Sequence, residues 1–146
     1  MIILSSVASD HRDYSHRSLL EKLGVKPEYR VCIRGVDQPF ADALTGFLMR
    51  APQSAARRMF DLIFVKIVST RDLAGIASLA AHLEPAAGLW IFHPKGRGAS
   101  PSDADVRAAR LAAGRVDNKI SSYTDSHTAT KYVIPRTKRS QARPRP

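Results

Sequence analysis

The chain has 146 residues, 44% hydrophobic and 25% charged, which suits one globular domain around a single core. Cys32 is the only cysteine, so an internal disulfide framework is excluded and a reducing, cytoplasmic setting is expected. No apolar run reaches membrane-spanning length, and Met1-Ile2-Ile3-Leu4 lacks both the basic start and the long apolar stretch of a signal peptide.

The formal net charge of +10 is unevenly placed. Asp125 is the last acid, and Lys131, Arg136, Lys138, Arg139, Arg143 and Arg145 follow it, so the preceding chain is only mildly basic. Residues 137–146, ending Arg143-Pro144-Arg145-Pro146, read as a disordered basic tail that solubilises the chain or binds nucleic acid weakly. Residues 1–14 show no hydrophobic period and read as a flexible arm.

Between these ends, residues 15–136 read as one domain. Ser15 to Leu23 is a short helix with Leu19, Leu20 and Leu23 on one face and Gly24 as its left-handed stop. Tyr29 to Arg34 alternates as a strand, and Pro39 to Leu48 carries Phe40, Ala43, Leu44, Phe47 and Leu48 on one helical stripe behind an Asp37 N-cap. Residues 50–60 are broken by Pro52 and leave no room for a strand, a helix and a further strand. Asp61 to Val68 is a continuous apolar run, the pattern of a buried parallel strand, interrupted only by Lys66, whose ammonium must snorkel to water or meet a carboxylate. Thr70 caps the next helix, whose core face is Leu73, Ile76, Ala77, Ala80 and Leu83. Leu89 to His93 is then a strand, with Trp90 and Phe92 on one face as core or dimer contact. Ser100-Pro101-Ser102-Asp103 opens a helix that runs to Ala113 and stops at Gly114. Val116 to Tyr123 and Thr130 to Ile134 pair most simply as an antiparallel hairpin.

Strand, helix, strand over residues 61–94 is a βαβ unit and demands a parallel sheet. Phe60-Asp61-Leu62-Ile63, the helix, Leu83-Glu84-Pro85-Ala86-Ala87-Gly88-Leu89-Trp90-Ile91 and the hairpin together resemble the second half of a class I S-adenosylmethionine-dependent methyltransferase. Lys22-Leu23-Gly24-Val25-Lys26-Pro27, Val31 to Gly35 and Gly114-Arg115-Val116-Asp117-Asn118-Lys119 are similar to a family of small bacterial proteins carrying a domain of unknown function. That resemblance spans residues 15–136 and implies an α/β three-layer sandwich. Its central sheet is mostly parallel and ends in an antiparallel hairpin, as a truncated, methyltransferase-like Rossmann fold.

Departures from the pattern bear on function. The turn Arg34-Gly35-Val36-Asp37-Gln38-Pro39 holds one glycine where the dinucleotide fingerprint needs three. The resemblance also implies an acid at the end of a second strand, gripping the ribose hydroxyls, and residues 50–60 contain no acid. Each lost hydrogen bond is worth about 0.5–3 kcal/mol. The expectation is therefore a non-catalytic binding or regulatory module with no cofactor. S-adenosylmethionine-dependent methyl transfer in an atypical pocket is the first alternative, and nucleic-acid binding through the tail the second.

In such sheets ligands bind beyond the carboxyl ends of the strands. The loops expected there supply Arg34, Gly35, Thr70, Arg71, His93, Lys95 and Arg97, suited to an anionic small molecule. The same residues also fit a merely solvated basic edge. His93 reads as a surface or hydrogen-bonded loop histidine, though its ordinary pKa would suit acid–base work. Asp117, in the Asp117-Asn118-Lys119 strand, fits a ligand contact or a solvated face equally. The scattered histidines show no metal-ligand spacing. The surface left by the missing strands suits a homodimer, and no membrane partner is expected.

Overall fold

A strand that is apolar on both faces must lie inside a sheet covered on both sides, and β2 (Phe60–Lys66) does. The computed structural model describes residues 18–54, 58–96, 98, 100–112, 114, 116–124 and 126–134, so the expected arm and tail lie outside the described residues. In chain order the elements are α1 (residues 18–22), β1 (Val31–Arg34), α2 (Gln38–Phe47), β2, a 3-10 turn (Thr70–Leu73), α3 (Ile76–Ala80), β3 (Leu83–Pro94), α4 (Asp103–Ala112), β4 (Val116–Ser122) and β5 (His127–Val133). The sheet order is β1-β2-β3-β5-β4. β1, β2 and β3 run parallel, and β5 lies antiparallel between β3 and β4. The α/β sandwich with a parallel sheet closing in an antiparallel hairpin is thus the observed architecture.

Alternation along the strands sorts side chains into two cores. Ile63, Val65, Ile67, Leu89 and Ile91 face Ile76 and Leu79 of α3 and Val106 of α4. Leu62, Phe64, Trp90 and Phe92 face Leu20 and Leu23 near α1, and Phe40 and Leu44 of α2. Trp90 and Phe92 are therefore core, and the indole Nε1 of Trp90 donates to the Leu23 carbonyl at 3.0 Å. Among the described residues no helix is long and apolar enough to cross a membrane.

Several boundaries differ from expectation for local reasons. The helix after β2 is split: Ser69 and Asp72 form a capping box around the 3-10 turn, so Ser69, not Thr70, is the cap. β3 starts at Leu83 instead of Leu89, because parallel pairing with Phe60 tolerates a register shift across Glu84 to Ala87. The cap of α4 is Ser102, whose hydroxyl accepts from Asp105 N at 3.2 Å while the Asp105 carboxylate accepts from Ser102 N at 3.0 Å. β5 begins at His127, three residues before Thr130, since the backbone of Thr124 already bonds His127.

Replacing Trp90 with Phe removes a buried donor and part of a fully buried ring. The expected cost is about 1–3 kcal/mol, a fall of several degrees in melting temperature. Thermal and urea melts check this, and unchanged midpoints would contradict the packing described.

Candidate functional site

Because β1, β2 and β3 are parallel, their carboxyl ends share one edge of the sheet. β1 ends at Arg34, and the chain turns through Gly35 at φ +72° before α2 begins. A Cβ on Gly35 would also meet the Lys66 carbonyl at 3.1 Å, so conformation and space both require glycine. Asp37 occupies the N-cap position of α2 in extended conformation, but its side chain makes no cap hydrogen bond. The first-turn amides of α2 are left without a side-chain cap.

The Asp37 carboxylate is engaged elsewhere. Its Oδ1 accepts from Lys66 Nζ at 2.7 Å and its Oδ2 accepts from the Tyr123 hydroxyl at 3.0 Å. The Asp37 side chain is 41% exposed and that of Lys66 16%. Lys66 therefore neither snorkels to water nor stands alone. Its hydrogen bond holds Asp37 below the usual aspartate range, aided by the Tyr123 hydroxyl and the charges of Lys66 and His127, while burial works the other way. Burial and then Asp37 raise Tyr123 well above the ordinary phenol range, so its hydroxyl stays a donor. The Tyr123 ring stacks on Phe92 at 4.0 Å and 13°, and Phe40 meets Phe64, Phe92 and Tyr123 edge-on at 5.1, 5.3 and 5.7 Å. Such ring pairs add about 0.5–1.5 kcal/mol each beyond their burial.

Beside this group, His127 spans from β5 to β2. Its Nε2 donates to the Ile67 carbonyl at 3.0 Å, and its Nδ1 lies 2.8 Å from the Ser126 hydroxyl. Cys32 is buried, and burial pushes its thiol up, so it is no exposed nucleophile.

Of the residues named from sequence, Arg34, Gly35, Thr70, Arg71 and Lys95 do lie along the carboxyl edge. Arg34 reaches sideways, its guanidinium donating to the Ser54 carbonyl at 3.4 Å. His93 is not a surface loop residue: it is 9% exposed within β3, with Nε2 at 2.9 Å from the Thr130 hydroxyl. Arg97 lies outside the described residues. Asp117 pairs with Tyr132 on β4, well back from this edge, and its side chain lies outside what is described.

Sequence reasoning named Asp37 only as a cap, and left Lys66 to reach water or a carboxylate without naming which carboxylate. The findable signal was a lysine closing an apolar strand together with an aspartate just after a tight glycine turn. Nothing in sequence places Tyr123 on Asp37, 86 positions earlier. Beyond β1, Gln53 makes an isolated parallel bridge with Cys32, bonding Ile33 N at 2.8 Å and Val31 O at 3.0 Å. It stands where a second strand would pair, in a stretch with no acid. A separate pocket of about 180 Å³ opens at the opposite, amino edge between Tyr29, Asp61, Glu84, Gly88 and Lys131.

No family model and no curated protein matches the sequence. Solved structures do match the fold. Magnesium protoporphyrin IX methyltransferase from Synechocystis PCC 6803, with bound S-adenosylmethionine, is 15% identical over 84% of this chain and 79% of its own, at a TM-score of 0.55. The ribosomal protein L11 methylase of Lactobacillus delbrueckii subsp. bulgaricus is 14% identical over 82% and 76%, also at 0.55. A methyltransferase of Aquifex aeolicus, dependent on S-adenosylmethionine, is 14% identical over 82% and 89%, at 0.51. At these identities the likeness is one of fold. It nonetheless overturns the expectation of a non-catalytic binding or regulatory module and favours the methyltransferase alternative: this chain is built like a class I S-adenosylmethionine-dependent methyltransferase.

Proposed function

We propose that the chain is a reduced S-adenosylmethionine-dependent methyltransferase that takes its methyl donor at the turn between β1 and α2. The supporting observation is the ionised, half-exposed Asp37 carboxylate, held at a glycine-only turn of a fold shared with methyltransferases. The donor supplies a methyl group on a cationic sulfonium, beside an amino-acid end that carries an ammonium and a carboxylate.

The residues present fit that amino-acid end. A carboxylate offers about four acceptor sites, and Lys66 and Tyr123 make one bond to each Asp37 oxygen, which leaves sites for an ammonium or hydroxyl donor. Gly35 lets the backbone take the left-handed turn that carries Asp37 to this edge. The first-turn amides of α2 at Gln38 and Phe40, which Asp37 does not cap and between which Pro39 supplies no N–H, suit a carboxylate, favoured further by the helix dipole. Residues 50–60 contain no acid to hold the ribose, so that grip falls to neutral contacts from Gln53. The acceptor meets a rim formed by Arg34, Arg71 and Lys95, none of which has a carboxylate at salt-bridge distance among the described residues. The small bacterial family that the motifs resemble and a cytoplasmic setting belong to the same proposal.

Calorimetric titration tests the reading. The wild-type chain is expected to bind S-adenosylmethionine and S-adenosylhomocysteine, and Asp37→Asn to weaken both about 10- to 100-fold, the worth of a charge-assisted hydrogen bond. No binding by the wild type would overturn the proposal. The pH dependence has a definite sign. Protonated Asp37 cannot hold a cation, and its pKa is depressed. Affinity should be constant from the ordinary aspartate range up to about pH 7, above which the donor's own ammonium begins to lose its proton, and should fall as pH drops below the aspartate range; Asp37→Asn should show no such acid limb.

A further inference from the structure

The phenol of Tyr123 is the one member of the Asp37 group with no chemical need to be there. Lys66, closing a buried strand, requires a carboxylate, but Tyr123 comes from beyond β4, at the far side of the sheet from β1. It crosses above the β3 end with its ring flat on Phe92 and edge-on to Phe40. The turn that carries it is pinned independently. Lys95 N donates to Ser126 O at 3.0 Å, Thr124 N donates to His127 O at 3.1 Å, and His127 is fastened to the Ile67 carbonyl. A phenol mounted this rigidly delivers its hydroxyl to one place.

We propose that Tyr123 is a positioning residue for the methyl donor: its hydroxyl fixes the rotation of the Asp37 carboxylate so that the remaining acceptor sites face the glycine turn. The inference rests on the methyl-donor reading of that turn. The geometry is a two-point hold. Lys66 alone bonds only Oδ1, and a carboxylate held at one oxygen still rotates about its Cβ–Cγ bond. The second bond, to Oδ2, removes that freedom. A carboxylate locked before binding loses less rotational freedom when the ligand arrives. Among the described residues three groups face Asp37 and set its charge: Lys66 from β2, Tyr123 from the turn after β4, and His127 from β5.

Tyr123→Phe separates this role from a structural one. The variant keeps the ring stack on Phe92, and water can replace the lost bond at the half-exposed Asp37, so the melting temperature should move little. S-adenosylmethionine affinity at neutral pH should fall about 3- to 10-fold, the range for ordering one freed side chain on binding. The hydroxyl helps keep Asp37 acidic, so the acid limb of binding should shift to higher pH in the variant. A carbon-13 carboxylate titration by NMR, without any ligand, should show the same upward move of the Asp37 pKa. Unchanged affinity together with an unchanged acid limb would overturn the proposal, as would a loss of affinity matched by a large loss of stability. A wild-type chain that binds no S-adenosylmethionine would overturn the functional reading. An upward move of the Asp37 pKa in Tyr123→Phe would then still locate the two-point hold itself.

Discussion

A lysine that closes a strand buried on both faces has few places for its charge. Lys66 solves this by reaching Asp37, and the rest of the carboxyl edge follows from that ion pair. Asp37 sits where an aspartate would ordinarily cap α2, yet its carboxylate turns back to Lys66, so the helix amides are left to other partners. Gly35 must be glycine because the same approach brings its backbone against the Lys66 carbonyl. Breaking one side of such a pair leaves a charge stranded in a partly desolvated position, a larger penalty than the pair's net worth. The edge is therefore a built arrangement in which anion, cation and turn are mutually dependent.

Periodicity exposed the architecture well because burial on this scaffold follows simple rules. Phe60 to Lys66 is apolar at every position but the second and the last, and such a run has no stable home except the middle of a covered sheet. Trp90 and Phe92, two apart on β3, share a face, and both are fully buried there. What escaped notice depended on side chains that choose between local and distant partners. Ser69 and Thr70 are both plausible caps from sequence, and only Asp72 decides between them by closing the box on Ser69. Asp37 has a local role open to it and takes a distant one. His93 lies on the strand itself, where β5 covers it, and a histidine at a strand end cannot show from sequence whether another strand will lie beside it. Long-range pairing of single polar atoms leaves no periodic trace.

The sheet resembles that of its methyltransferase neighbours with one side reduced. Where a second strand would extend β1, a single bridge at Gln53 satisfies the backbone of Val31 and Ile33 among the described residues. One short bridge blunts the exposed edge of β1, which a longer unpaired strand would leave open to association. The same economy removes the position from which a carboxylate would grip a ribose. Among the described residues the loss is confined to that side: the turn after β1, the end of β2 and the β4–β5 hairpin are bonded to one another.

On the proposed reading, that confinement decides what the truncation does to catalysis. The methyl donor and its demethylated product carry the same ribose, so contacts to its hydroxyls hold both equally. Interactions that are equal in the ground and transition states set affinity and leave the chemical barrier unchanged. Removing them raises KM without lowering kcat. The same holds for the cluster that remains, Asp37, Lys66 and the amides of α2, since the amino-acid end it would hold is common to donor and product. A scaffold that lacks the second strand and keeps this cluster gives up one part of its uniform binding and retains another. The cost of the missing strand therefore falls on affinity.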